Sequence, residues 1–299
     1  MRWIVKRQLA FAHWVLNGLL LIGAAIPTLA QAPEVKLPLH DGSVRFAVIG
    51  DNGTGKPPQY DIGNLMEKYR EVVKFDFAVM MGDNIYSGHK PKDFVEKFEA
   101  PYKALLGAGV KFYACLGNHD DPDIERNYAP YNMGGQRFYT FTKGDVQFFA
   151  LDSNYMEPRQ VAWLEGQLKS SKAKWKVAYF HHPLYTAAKY HGPSVDLRNQ
   201  LMPLFTKYGV NLVLYGHEHV YEHLKPQQGI YFFLEGSSGQ LRYHNLSSKS
   251  AELDEVGFDN DQTFMLMEVA GDQLFFQTMQ RNGKIIDAGV LNRQGAAKK

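Results

Sequence analysis

The sequence predicts an α/β protein built as a two-sheet β-sandwich flanked by helices. Three observations predict it: short apolar runs that end in Gly or His and then a polar cluster, helical patterns between those runs, and hairpin signals near the C-terminal end. The runs are "VRFAVIGDNG", "FDFAVMMGDNIY", "VKFYACLGNHD", "KVAYFHHPLY" and "VNLVLYGHEH". Each is rich in Val, Phe and Tyr, and reads as a strand covered on both faces.

In chain order, the first run ends at Asp51, and a helix is predicted over Asp61–Phe75, where apolar residues recur at helical spacing. The second run ends at Asp83. The stretch Pro91–Gly109 opens with Pro and closes with Gly, the expected helical asymmetry, with a break at Pro101. The third run ends at Asn118 and His119. "RFYTFTKGDVQFFALD" then reads as a hairpin about Lys143-Gly144-Asp145. "EPRQVAWLEGQLKSSKA" is helical, and the fourth run ends at His181. "SVDLRNQLMPLFTKYGV" is helical, and the fifth run ends at His217 and His219. Tyr243–Gln262 is the longest loop candidate, and loops of that length in compact domains are often functional. "QTFMLMEVAGDQLFFQTMQRNGKIIDAGVL" holds two more turns, at "AGDQ" and "RNGK". Strand–helix alternation argues for an α/β sheet, and the added antiparallel ribbons fit a second sheet packed against it.

Composition narrows the class. The chain has 299 residues, 45% hydrophobic and 21% charged, which is ordinary for a globular protein with a full core. Residues 1–32 stand apart: Arg2, Lys6 and Arg7 precede an apolar run with small-residue cleavage sites near Ala30-Gln31-Ala32, and no acidic residue occurs before Glu34. This reads as a secretory signal peptide, so the protein is expected to be secreted or periplasmic, without stable membrane insertion after cleavage. Residues 33–299 are expected to form a single catalytic domain. Without the leader, 33 basic side chains become 30 against 31 acidic ones, a formal net of −1. That charge advertises no nucleic-acid surface. The sole cysteine, Cys115, cannot form an intramolecular disulfide and reads as a small core residue.

The five runs carry metal-ligand side chains at one place in the pattern, their C-terminal ends, the edge where open α/β sheets bind ligands. The groups are Asp51, Asp83, Tyr86, Asn118, His181, His217 and His219. A single "GD" turn reads as a cap. Two histidines one residue apart on an extended segment point the same way, and all five ends together read as a metal site. Two ions with four protein ligands each need eight contacts, and seven groups supply eight if one carboxylate bridges. In His181-His182-Pro183 only one imidazole can point inward.

The set "GDNG … GDNIY … GNHD … HHP … GHEH" resembles the calcineurin-like metallophosphoesterase superfamily. Tyr86, three residues after Asp83, narrows the likeness to purple acid phosphatases of the small, mammalian (tartrate-resistant) type and their bacterial relatives. The resemblance extends over nearly all of the chain after the leader, including "FEAPYKALLGAGVKFYACLGNHD", "QVAWLEGQL" and "KYHGPS". Asn52 stands where the family often has Trp. The resemblance implies the αββα metallophosphoesterase fold. It also implies a ferric ion on Asp51, Tyr86 and His219, a divalent ion (iron, zinc or manganese) on Asn118, His181 and His217, and Asp83 as the bridge. It selects His181 over His182, and gives His119 and His191 phosphate-contacting, acid–base roles. The implied activity is hydrolysis of phosphate monoesters by metal-bound hydroxide, in a monomer acting on small phosphorylated substrates. A phosphodiesterase would use the same ions.

Overall fold

The computed structural model describes residues 32–293. The expected leader, residues 1–32, lies outside the described residues except for its last position. The described residues form thirteen strands: β1 (Val44–Ile49), β2 (Phe77–Met80), β3 (Lys111–Ala114), β4 (Tyr139–Lys143), β5 (Val146–Ala150), β6 (Trp175–Tyr179), β7 (Leu212–Tyr215), β8 (Tyr221–Gln227), β9 (Ile230–Glu235), β10 (Asp254–Phe258), β11 (Thr263–Ala270), β12 (Gln273–Gln280) and β13 (Ile285–Asn292). They form two mixed sheets, in the orders β13-β12-β11-β1-β2-β3 and β10-β8-β9-β7-β6-β5-β4.

Strand alternation shows why two sheets form. In β1, Phe46 and Val48 pack between the sheets with Phe148, Val177 and Leu212, whereas Ala47 and Ile49 face the opposite way. A strand buried on both faces loses the polar–apolar alternation of a surface strand, as expected from the sequence. Phe46 stacks on Phe77 at 5.3 Å and meets Phe148 edge-on at 5.2 Å, so Phe46→Ala costs about 3–5 kcal/mol.

Helices cover both outer faces. Helix Pro57–Val73 seats Ile62, Met66 and Tyr69 on the first sheet. Helices Pro158–Ser170 and Val195–Tyr208 seat Leu164, Leu168, Leu201 and Phe205 on the second. The resulting order is helix, sheet, sheet, helix. Parallel β1, β2 and β3 in one sheet, and β5, β6, β7 and β9 in the other, send their C-terminal ends to the site. Among the described residues, no helix is long and apolar enough to cross a membrane.

The break at Pro101 is present. Helix Pro91–Phe94 widens into a π turn over Val95–Glu99, and a new helix begins at Lys103. Proline has no N–H to continue the ladder. Two features differ from expectation. The stretch Tyr243–Gln262 is not one loop, because it contains helix Ser250–Leu253 and β10, which covers the edge of β8. The β8–β9 hairpin was not foreseen. Its two-residue turn, Gln228-Gly229, has φ of 52° and 80°, a type I′ geometry for which Gln gives no sequence signal.

Candidate metal centre

Four of the five strand ends share one local device, a Gly followed by a polar residue: Gly50-Asp51, Gly82-Asp83, Gly117-Asn118 and Gly216-His217. The chain turns sharply there. Asp51, Asp83 and His217 have φ of 51°, 52° and 74°. The left-handed region costs an L-residue about 1–2 kcal/mol, and such strain collects where side chains must be aimed. The glycines allow the turns to close on one another. A Cβ on Gly117 would lie 2.1 Å from Asp83 Oδ1, and one on Gly216 would lie 2.3 Å from Asp51 Oδ2. Any side chain at either position would push a carboxylate out of the centre.

The two sheets meet here. The His217 N–H donates to Asp51 Oδ2 at 2.8 Å, and the His119 N–H donates to Asp83 Oδ1 at 2.9 Å. The predicted side chains then sort into two groups. In the first, Tyr86 Oη lies 3.1 Å from Asp51 Oδ1 and 3.1 Å from His219 Nε2, which is itself 3.3 Å from Asp51. In the second, His181 Nε2 lies 3.0 Å from Asn118 Oδ1, 3.0 Å from His217 Nδ1 and 3.4 Å from Asp83 Oδ1. Ligand atoms of Asp51, Asp83 and His181 lie within 4.8 Å of one another, so Asp83 joins the groups.

The proton inventory tests whether cations fit. His181 Nδ1 sits 2.9 Å from the Met81 carbonyl, which can only accept, so Nδ1 carries the proton and Nε2 presents a lone pair. That lone pair faces a carboxylate oxygen and an amide oxygen. One proton on His217 can serve one of these contacts and leaves the others acceptor against acceptor. In the first group the donors are the Tyr86 phenol and, in one tautomer, His219 Nε2, so the shortage of donors lies in the second group. Converging buried acceptors short of donors suit cations. The carbonyl on Nδ1 is also the partner that fixes a ligating imidazole's tautomer.

Electrostatics agree. Burial raises the Asp51 and Asp83 carboxyls above their usual range, and at Asp51 the Asp83 charge adds to it. Burial, then Asp51 and Asp83, pushes the Tyr86 phenol well above 10. Burial lowers His181, with His182 adding to it, and lowers His217, with His181 adding to it. His219 is pushed down to about 4 by burial and then by Arg242. The imidazoles are therefore held neutral, as ligation requires, while burial and the Asp83 charge act against ionisation of Asp51.

Every residue predicted for the site is brought to it. His119 is exposed at the rim, with its ring 4.8 Å from Tyr86, and His191 packs on His217 at 4.1 Å. His182 lies beside the second group, its ring 4.5 Å from that of His217. Its Nδ1 is held by Ser153 Oγ at 2.9 Å, and its ring lines a cavity of about 440 Å³ with Asn118, Arg137, Asn154 and Tyr155. Two residues were missed. Glu218, fully buried, accepts from the His191 and Gly192 N–H groups at 2.5 and 2.7 Å and from Asn245 Nδ2 at 2.8 Å. Its signal was an acid set between two histidines, on the opposite side of the chain from both. Arg242 lies beside it, 3.8 Å from Glu218 Oε2, and nothing in the sequence marked it.

A family model described as calcineurin-like phosphoesterase matches residues 44–221. Purple acid phosphatase 17 of Arabidopsis thaliana is 30% identical over 236 residues, covering 67% of this chain and 69% of that protein. Tartrate-resistant acid phosphatase type 5 of Mus musculus is 25% identical over 330 residues, covering 89% and 97%. Among solved structures, GAP50 of Plasmodium, the anchor in the inner membrane complex, superposes with a TM-score of 0.70 at 20% identity, covering 84% of this chain and 89% of that one. That last likeness concerns the fold alone, and a shared fold does not fix an activity. The family match spans the strand ends from Asp51 to His219, and on it the chain belongs to the calcineurin-like phosphoesterase family, with purple acid phosphatases among its relatives.

Proposed function

We propose that the protein is an exported acid phosphatase that hydrolyses phosphate monoesters at a dinuclear Fe(III)–M(II) centre. The observation that carries this reading is the convergence of two groups of ligand-type side chains, joined at Asp83, with the His181 lone pair facing two oxygens. Asp51, Tyr86 and His219 would hold the ferric ion, because phenolate and carboxylate are hard donors. Asn118, His181 and His217 would hold the divalent ion, and Asp83 would bridge. When bound, two such cations acidify water and offset charge on the phosphoryl group, which answers the slowness of monoester hydrolysis.

The remaining work falls to side chains at the rim. His119 has its backbone anchored on the bridging carboxylate and its ring exposed beside Tyr86, so its imidazole can hydrogen-bond a phosphoryl oxygen or give its proton to the leaving alkoxide oxygen. His191 is held against His217 by the Glu218 contacts to its own N–H and that of Gly192, and faces the same opening. A cavity walled by Arg137 and Tyr155 opens beside Asn118 and His182. Export rests on the N-terminal segment 1–32, and the N-terminal mass of protein recovered from the producing cells tests it. Activity is tested by comparing p-nitrophenyl phosphate with bis(p-nitrophenyl) phosphate at pH 5. Faster cleavage of the monoester supports the reading, and preferential cleavage of the diester replaces it with a phosphodiesterase.

A further inference from the structure

Arg242 is tied to the centre through its backbone, whose N–H donates to the His219 carbonyl at 2.9 Å. Its guanidinium lies 3.7 Å over the Tyr190 ring. Tyr190 neighbours His191 at 4.6 Å, and His191 packs on His217 at 4.1 Å. The guanidinium thus ends a continuous chain of ring contacts that begins at the candidate metal centre. Among the described residues it donates no hydrogen bond, and its Nη1 is buried without a hydrogen-bond partner. Its acidic neighbour Glu218 is 3.8 Å away and is already taken up by the N–H groups of His191, Gly192 and Asn245.

A guanidinium is a rigid fork of five donors that matches carboxylate and phosphate oxygens. Here the fork is braced on a ring and none of its donors is committed. It remains reachable, because the Arg242 side chain is 24% exposed and Tyr190 and Tyr243 beside it are largely exposed. The Arg242 charge already acts inward, on Asp51 and His219. The phosphoryl group undergoing cleavage has the two cations and the rim histidines, which leaves Arg242 for something else on the same molecule.

We infer that Arg242, braced on Tyr190, forms an anion subsite for a second negatively charged group, a carboxylate or phosphate, on the leaving portion of the substrate. This rests on the phosphomonoesterase reading and narrows its substrate class to esters that carry an anion besides the one cleaved.

The test measures equilibrium binding of two phosphonates by calorimetry to the purified full chain as isolated. The probes are 3-phosphonopropionate and propylphosphonate, which share a carbon count and differ in the terminal carboxylate. The wild type should prefer the first, and Arg242→Ala should lower that preference about tenfold, the scale of a charge-assisted hydrogen bond. Arg242→Lys keeps a cation against Glu218, preserves the fold and should lose part of the preference, because an ammonium lacks the fork. Equal binding of both probes by the wild type overturns the subsite. So does equal weakening of both in Arg242→Ala, which would assign the guanidinium to the cleaved phosphoryl group. A wild type that hydrolyses no monoester, yet shows the Arg242-dependent preference, keeps the subsite and removes the hydrolase reading.

Discussion

Two clusters of acids and histidines lie on adjoining loops of this protein, one of Asp51, Asp83 and His181 and the other of His89, Asp120 and Glu125. By composition they look alike, and their donors separate them. Asp120 accepts four hydrogens: from the N–H groups of Asn84 at 2.7 Å, Ile85 at 3.1 Å and Gly117 at 2.8 Å, and from Asn84 Nδ2 at 2.8 Å. Both of its oxygens are occupied, and it knots the "GDN" loop to the "GNHD" loop. Burial pushes Glu125 up to about 8, so it keeps a proton at neutral pH, facing His89 Nε2 at 3.2 Å. His89 Nε2 also accepts the Asp121 N–H at 3.1 Å. Around Asp83 the protein supplies His119 N–H to one oxygen, while the surrounding groups are mostly acceptors. A buried carboxylate is read by its donors, and one left short of them is the place for a cation.

That contrast breaks first under substitution at the acids. Asp83→Asn should remove the bridge, empty at least one metal position, and lower turnover about 10³-fold or more, the scale of several kcal/mol of charge stabilisation. Asp120→Asn should keep both metals. It loses a saturated acceptor, so it should cost about 1–3 kcal/mol and lower Tm by several degrees. Metal analysis and thermal melts on both variants decide it, and metal loss in Asp120→Asn would make the two clusters equivalent after all.

Within the centre, ligand and acid–base histidines should separate in the same manner. His219→Ala removes a side chain from the Tyr86 group, so its ion should bind weakly. His119→Ala should keep both ions and lose turnover by about 10²–10⁴-fold for an alkyl phosphate, and less for a nitrophenyl ester whose leaving group needs little protonation. Equal losses for both esters would deny His119 a proton-transfer role.

The pH dependence of the two clusters should also differ. His219 is depressed to about 4, so above that pH ligation need not expel its proton. The centre should stay filled at pH 5 and should empty as pH falls below about 4, as read by metal retained after dialysis. Glu125 is raised in the folded state. Its stabilising contribution is full below the unfolded value near 4.5 and fades as pH rises through about 8. Glu125→Gln should flatten the decline of Tm over that window, a smaller effect than any above. An unchanged slope would mean that Glu125 is ionised in the folded protein.

Much of this was legible in the sequence because it is encoded locally. Four of the five strand ends place a Gly immediately before Asp51, Asp83, Asn118 or His217, and both the turn and the candidate ligand are visible in two letters. The break at Pro101 and the turn at Asn282-Gly283 are local in the same sense. What escaped depends on distant partners. Glu218 is important through Asn245, 27 residues away, and through the N–H groups of His191 and Gly192. Arg242 stands out only once Tyr190 is folded beneath it. The β10 strand exists because β8 has an edge to cover, which no local pattern announces.

The most direct test of the two-ion centre is metal content and visible spectrum of the purified protein, wild type beside Tyr86→Phe. Two ions per chain, at least one of them iron, with a phenolate-to-iron charge-transfer band that vanishes in Tyr86→Phe while the fold persists, is the predicted result. A wild type that holds two ions but is colourless would refute the iron–tyrosine assignment, and one ion per chain would refute the shared Asp83.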